Sequence, residues 1–428
     1  MKKILFVVLD GLGDEPHPAL NGETPLSAAK TPVMDRIVQR GRLGLMYPLG
    51  EPIAPESDVA VISILGYRAM DYYTGRGPLE ALAVGIRMRD GDLVYRANFA
   101  TAGEGDEIVD RRVGRDLTSE EAHGLAGEVG EKVKLTGHPA SFIFKSTVGH
   151  RAILLFRADD GRLSARVNNT DPAYKKEGVL GVALAEFENV VQKCTPEEGW
   201  EDSPEARSGA ELTNEFIEKS RKVLDDSPIN RKRRKAGKLA ANLILTRDAG
   251  DRLPAFPPLA DRFGARFGCF VEMPVERGIA LLTGMDVIEL KGLKGDPWKD
   301  YPGIVKLVGE RLSDYDGLYI HLKGPDIPAH DGKPLEKVRM IEAADSAFFA
   351  PLMETVDMDE IVMAITADHS TSCLLKAHSS HPVPLAIVGG DARSDGIRQF
   401  SEASCRDGSI GVIKGEDLMP ILIKAARE

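Results

Sequence analysis

The sequence predicts an α/β core, with a mostly parallel sheet and helices on both faces, carrying an inserted smaller α+β domain. Three observations lead there. The runs "KILFVVL", "GLYIHL" and "IVMAIT" read as short buried strands of a parallel sheet. Amphipathic helical patterns separate these strands. From about residue 88 the texture changes to short alternating runs, and near residue 255 the α/β rhythm resumes. The core is therefore drawn as residues 1–85 with 252–428, and the insert as 86–251.

Lys3 to Leu9 is apolar and delivers Asp10 to a strand-end loop. "TPLSAAKTPVMDRIVQRG" reads as one capped helix stopping at Gly41. "APESDVAVISILGY" opens with Pro and Ser before helical spacing, which puts Ser57 at or near a helix N-terminus. "GPLEALAVGI" continues helically. In the insert, "DLVYRANFAT", "EIVDRRVGR", "HRAILLFRA" and "RLSARVNN" are strand-like, and "ELTNEFIEKSRKVLDD" is an amphipathic helix. The basic run "INRKRRKAGK" reads as a solvated helix end, with a phosphate or nucleic-acid patch as the alternative. "ANLILTRDAG" is again a buried strand. "FGCFVEM" and "ERGIALLTGM" then form a strand and a helix. "KPLEKVRMIEAADSAFFAPLMETV" is a long helix, and "VPLAIVGG" is a last strand.

Composition bounds the function. A chain of 428 residues exceeds what one core usually spans, and 43% apolar content is enough for a proper interior. A net charge of −11 argues against general nucleic-acid binding, though a local cationic pocket for small anions stays open. Cys194, Cys269, Cys373 and Cys405 are widely spaced, so neither a disulfide framework nor a cysteine zinc site is expected. The apolar N-terminal run breaks at Asp10 with no small-residue cleavage site, which fits a first strand better than a signal peptide. No apolar stretch approaches a membrane span. A cytoplasmic protein with a small-molecule substrate, and without nucleic-acid or membrane partners, is expected. The sequence sets no oligomeric state.

Acids and histidines recur just past predicted strands. Asp10 follows the first strand. Asp326 and His330 stand in "GPDIPAHDG", Asp368 and His369 in "TADHST", and His378 in "KAHSSHPVP". Five of the nine histidines lie between residues 321 and 381. Sites in open α/β sheets gather at the carboxyl ends of strands, where distant residues converge. Carboxylate and imidazole ligands suit divalent ions, and two ions about 4 Å apart can clamp a phosphoryl group. Ser57 is the natural nucleophile, since a metal lowers its hydroxyl pKa and a helix N-terminus favours phosphate. Each residue also has a plainer reading. Ser57 serves as an N-cap, Asp10-Gly11 as a turn, the Asp368 loop as an Asx turn, and His321 as strand packing. His381 reads equally as a ligand, a supporting residue or a surface residue.

The order Asp…Ser…Asp-x-x-x-His…Asp-His…His resembles the alkaline phosphatase superfamily. More narrowly, the chain resembles the archaeal-type, cofactor-independent (2,3-bisphosphoglycerate-independent) phosphoglycerate mutases. The resemblance rests on "VVLDGLGD", "SDVAVISILGY", "YYTGRGPLEAL", "HLKGPDIPAHDGK", "ADHST" and "HSSHPVP", among segments spread along nearly the whole chain. It implies an alkaline-phosphatase-like metalloenzyme core holding two divalent ions, Mn²⁺ first, with Mg²⁺, Zn²⁺ or Co²⁺ as alternatives. Asp10, Ser57, Asp368 and His369 would hold one ion; Asp326, His330 and His378 would hold the other. Ser57 would take the phosphate of 3-phosphoglycerate and return it to the 2-hydroxyl, in glycolysis or gluconeogenesis. The insert would grip the substrate with cationic residues: Arg96, Arg111, Arg115, Arg151 and Arg247, with Lys323 on the metal side. Glu56, Val61, Asp248 and His381 depart from the family pattern. They bear on the substrate and remove no ligand position. Two other readings stand beside this one. The first is a metal-dependent phosphatase or phosphotransferase on the same scaffold, such as a homoserine-kinase-like branch. The second is a metal-binding protein without catalysis, against which the retention of Ser57 beside the full ligand set argues.

Overall fold

The computed structural model describes residues 1–184, 186–390 and 393–428. It divides into two compact units, Met1–Tyr72 with Ala255–Glu428, and Tyr73–Pro254.

The first unit is built on one eight-stranded sheet. Its order is Asp286–Val287, Phe267–Phe270, Gly317–Leu322, Lys3–Leu9, Ile361–Thr366, Val383–Val388, Gly41–Tyr47 and Gly411–Lys414. Lys3–Leu9 is central and parallel to both neighbours, with Val8 opposite His321 on one side and Thr366 on the other. Val383–Val388 alone runs antiparallel among the described strands of this sheet. Residues 4–9 are fully buried, as expected for a strand covered on both faces. One helical layer gathers Ser57–Ile64, Pro274–Leu282 and Gly415–Arg427; another gathers Pro32–Val38, Pro297–Arg311 and the run from Pro334 to Thr355. Among the described residues, no helix is long and apolar enough to cross a membrane.

Three local readings need correction. "TPLSAAKTPVMD" is not one helix but two, Pro25–Ala28 and Pro32–Val38. Pro32 excludes the helical region for Thr31, which sits at φ −123°, ψ 55°. The second helix is capped from afar, because Asp345 accepts from the backbone N–H of Val33 and Met34, the latter at 2.7 Å. Gly41, expected to stop a helix, starts the Gly41–Tyr47 strand. The long helix from Pro334 holds a π-helical stretch at Ala344–Phe349, which carries Asp345.

The second unit is an antiparallel sheet under helices. Leu93–Ala102 pairs with Arg151–Ala158 on one side and Leu243–Gly250 on the other; Ala140–Ser146 follows Arg151–Ala158, and Ile108–Asp110 pairs at one end. The Arg76–Ala83 helix packs on Leu93–Ala102 and Leu243–Gly250. The "GPLEAL" segment thus joins this unit, and the units divide at 72/73 and 254/255, not at 85/86 and 251/252. "RLSARVNN" forms no strand, only an isolated bridge from Val167 to Pro196. The Asn168 and Asn169 side chains there bond Thr195, Pro196 and Tyr174. The basic run is helical at Pro228–Lys235, but Arg233 is buried, bonding Asp116, Glu121 and the Leu239 carbonyl.

The other face of this sheet packs on Pro204–Asp225. Its Phe216 ring meets Phe142, Phe144 and Phe156 at centroid distances of 5.0, 5.6 and 5.7 Å. Phe216→Ala is expected to lower the unfolding free energy of this unit by about 3–5 kcal/mol, read as a shift in the urea midpoint.

Candidate metal and phosphoryl-transfer site

Three parallel strands end on the same edge of the first sheet. Lys3–Leu9 leads to Asp10, Gly317–Leu322 to Lys323 and Asp326, and Ile361–Thr366 to Asp368 and His369. Gly11 lets the first chain turn away at φ +64°, and its N–H donates to Asp368 Oδ1 at 3.2 Å. A Cβ there would meet Thr371 Oγ1 at 2.6 Å and Asp326 Cα at 3.0 Å, so the approach requires glycine. Ser57 is the first residue of the buried Ser57–Ile64 helix. His378 lies on Ala377–Ser379, paired with Ser370–Ser372.

Two sets of ligand atoms result. In one, His369 Nε2 lies 3.1 Å from Ser57 Oγ, 3.2 Å from Asp368 Oδ2 and 3.5 Å from Asp10 Oδ1. In the other, His330 Nε2 lies 3.3 Å from Asp326 Oδ1 and 3.3 Å from His378 Nε2, with His378 Nε2 3.9 Å from Asp326 Oδ1. Asp10, Asp326 and His369 also bring one ligand atom each within 4.8 Å of one another, joining the two sets.

The donor chemistry fits divalent cations. Nδ1 of His378 faces the Pro55 carbonyl at 2.8 Å, and Nδ1 of His330 faces the Lys376 carbonyl at 3.1 Å. Carbonyls only accept, so both Nδ1 atoms donate, and each ring, once it gives up its second proton, turns a lone pair at Nε2 toward the other. Thr371 Oγ1 donates to Asp326 Oδ1 at 2.9 Å and so accepts from His369 Nδ1 at 3.0 Å, fixing the third imidazole likewise. Asp10 Oδ1 and Asp368 Oδ2 are buried and receive no hydrogen bond. Buried carboxylate oxygens and imidazole lone pairs aimed at common points are what a metal ligand set requires.

Cationic side chains hold the carboxylates together. Lys323 Nζ bonds Asp10 and lies 3.7 Å from Asp326 Oδ2. Burial acts to raise the Asp326 carboxyl, but Lys323 and His330 hold it well below the usual range. Burial acts to lower His369, and Asp368, Asp10 and Asp326 more than reverse this, bringing it to about 9. Burial and the neighbouring His369 both depress His378. Glu56 Oε1 stands 3.7 Å from His378 Nδ1, so the unusual acid before Ser57 faces an imidazole. Beneath the site Lys337 is fully buried, donating to Asp14 Oδ2 at 2.9 Å, the Gly13 carbonyl at 3.0 Å and the Thr371 carbonyl at 2.8 Å.

The second unit gathers guanidiniums on one sheet face. Asp171, fully buried, takes both Arg111 Nε and Nη2 at 2.7 Å and Arg247 Nη1 at 2.8 Å. Tyr174 lies under Arg247 at 4.1 Å and under Arg111 at 5.3 Å. Arg96 stands opposite Arg247 in the ladder, and Arg151 opposite Asn98. Burial, then Arg151 and Arg112, push His150 down to about 3, so it stays neutral among them. Arg115 is exposed. Asp248 pairs with Arg247 Nε at 3.4 Å from a left-handed backbone, φ +56°.

Asp10, Ser57, Asp326, His330, Asp368, His369 and His378 are thus brought together, and so are Arg96, Arg111, Arg151 and Arg247. His381 is exposed and bonds only Ser379 among the described residues. His321, read as packing, is 3.3 Å from Asp10 Oδ2 and 2.9 Å from Tyr319 Oη. Its strand places it beside Val8, one register step before the Leu9–Leu322 pair, a signal the alternation of "LYIHL" already carried. The sequence pattern points to neither Thr371 nor Lys337. The first follows Asp368 by three residues, and nothing in the local pattern marked the second.

A sequence profile described as 2,3-bisphosphoglycerate-independent phosphoglycerate mutase matches residues 38–230. A curated 2,3-bisphosphoglycerate-independent phosphoglycerate mutase of Thermococcus kodakarensis is 41% identical over 425 residues, 99% of this chain and 97% of that protein. Among solved structures, the PH0037 protein from Pyrococcus horikoshii is similar with TM-score 0.79 and 32% identity, over 100% of this chain and 97% of that one. The cofactor-independent phosphoglycerate mutase from Thermoplasma acidophilum is similar with TM-score 0.62 and 31% identity, over 100% of both chains.

Two outcomes are expected. Thr371→Val removes the hydroxyl that orients both Asp326 and His369, so Mn²⁺ affinity measured by equilibrium dialysis should fall about 10–100-fold. His150 takes its proton near pH 6.5 when unfolded but only near 3 when folded. Its contribution is present above pH 6.5 and lost as pH falls toward 3. His150→Gln should therefore flatten the fall of the thermal midpoint between pH 6.5 and pH 4.

Proposed function

The chain belongs to the 2,3-bisphosphoglycerate-independent phosphoglycerate mutase family, and from that premise we propose that it interconverts 3-phosphoglycerate and 2-phosphoglycerate through a phosphoserine on Ser57 beside a two-ion centre. The observation that carries this reading is the place of Ser57 Oγ, 3.1 Å from His369 Nε2 where the two ligand sets meet. Asp10, Ser57, Asp368 and His369 would hold one ion, and Asp326, His330 and His378 the other. Two divalent ions bound there lower the pKa of a serine hydroxyl and neutralise charge on a transferring phosphoryl group. The mixed carboxylate and imidazole set suits Mn²⁺ first, then Mg²⁺, Zn²⁺ or Co²⁺.

Ser57 gives up its hydroxyl proton, and its Oγ attacks the phosphorus of 3-phosphoglycerate as the bond from phosphorus to the C3 oxygen breaks. That oxygen takes a proton, leaving glycerate and phosphoserine. The glycerate 2-hydroxyl then loses its proton and attacks the same phosphorus, and Ser57 Oγ departs and takes back a proton as 2-phosphoglycerate forms. No bisphosphorylated activator enters either step. The N-terminus of the Ser57–Ile64 helix favours the phosphate charge. Lys323, which bonds Asp10 and faces Asp326, is assigned to phosphoryl oxygens. Arg96, Arg111, Arg151 and Arg247, with exposed Arg115, are assigned to the remaining substrate charge. A phosphorylated three-carbon acid is a cytoplasmic substrate in either direction of glycolysis or gluconeogenesis.

The test couples 3-phosphoglycerate to enolase with Mn²⁺ and no bisphosphoglycerate. Turnover should vanish with EDTA and fall about 10³-fold or more in Ser57→Ala. Free phosphate released faster than 2-phosphoglycerate would instead mark a phosphatase.

A further inference from the structure

The segment "YYTGRGPLEAL" supplies a buried acid that the reaction above leaves without a role. Glu80 is 3% exposed, on the Arg76–Ala83 helix, against the guanidinium face of the second unit. One of its oxygens, Oε1, faces Arg76 Nε at 2.7 Å and Arg96 Nε at 3.4 Å. Arg151 is close enough to help hold the Glu80 carboxyl below its ordinary value, against burial, which alone would raise it. Arg96 has no other ion pair or side-chain hydrogen bond among the described residues, and Arg151 has none. Arg247 Nε is buried and makes no hydrogen bond, with Asp248 Oδ2 standing 3.4 Å away.

Guanidiniums here outnumber carboxylates. Arg76, Arg96, Arg112, Arg151 and Arg247 act on one another, and burial followed by Arg76 and Arg247 lowers Arg96 to about 10. Like charges so close repel and would splay their side chains unless something fixes them. Glu80 comes nearest to Arg96 at Nε, not at the terminal nitrogens Nη1 and Nη2. The fork of an arginine is then left to meet a carboxylate or phosphate in bidentate fashion.

We infer that Glu80 is a positioning residue, which aims the Arg96 fork, with Arg76 braced beside it, at a bound phosphoglycerate. The inference rests on the mutase reading. A residue that only balanced charge would behave in the opposite sense. Neutralising it would leave the cluster more positive and tighten anion binding.

The experiment measures KM, kcat and 3-phosphoglycerate affinity for the full-length protein and Glu80→Gln, the latter by titration calorimetry. KM and Kd should each rise at least about 10-fold, with kcat changing less. Unchanged or tighter binding would overturn the inference. Should Glu80→Gln fail to fold, Arg76→Lys keeps the charge and removes the Nε–H that Glu80 accepts. The same rise in KM is expected there, and an unchanged KM refutes it. Absence of turnover in the unaltered protein would be the failure of the mutase reading. Calorimetry with 3-phosphoglycerate and with inorganic phosphate would then still decide whether Glu80 organises an anion site.

Discussion

Three buried carboxylates, Asp10, Asp326 and Asp368, are held close together, and the rest of the first unit serves that constraint. Like charges in a low-dielectric interior repel strongly and do not stay ionised unless cations or hydrogen-bond donors attend them. Here Lys323, His330 and His369 supply the charge, while Thr371 and the Gly11 N–H supply donors. A parallel sheet suits the task because its strands all end on one edge. Three segments far apart in the chain can therefore present their first loop residues to a common point.

Such convergence also has to be rigid. Lys337 is driven by helix packing into the layer beneath the ligands, where it meets one carboxylate and two backbone carbonyls. It ties the loop after the first strand to the hairpin that carries His378. The second unit solves a similar problem with opposite charges. Asp171 and Glu80 are each shared between two guanidiniums, so two buried acids hold a surplus of cations in order.

The metal ligands were legible because their spacing is bound to strand ends, and a strand end can be read from a run of apolar residues stopping at an acid. The sheet itself was mostly legible for the same reason, but Gly41–Tyr47 was not. Its glycines and arginine lack a strand pattern, and the strand exists because Val383–Val388 lies beside it. The break at Pro32 carried a local signal that the helical period masked. What the sequence could not show were residues defined by distant partners. Asp345 caps a helix more than three hundred residues away, and the buried Arg233 hides within a run that looks solvated. Glu80 lay in a helix whose membership of the second unit depends on packing, not on local pattern.

The distance along the chain between Asp10 and Asp368, which end neighbouring strands, bears on how the enzyme is made. Gly11, next to Asp10, is separated by 357 residues from Asp368, which it contacts. A ribosome adding about 5–20 residues each second needs roughly 20–70 s to cover that interval. For most of it the first strand lies outside the exit tunnel before either sheet neighbour, Gly317–Leu322 or Ile361–Thr366, has been made. The unit spanning Tyr73–Pro254 is complete long before and carries its own core. The growing polypeptide thus holds a finished insert flanked by an exposed, strongly apolar strand waiting for its partners. That strand is the part of the nascent chain most in need of a chaperone.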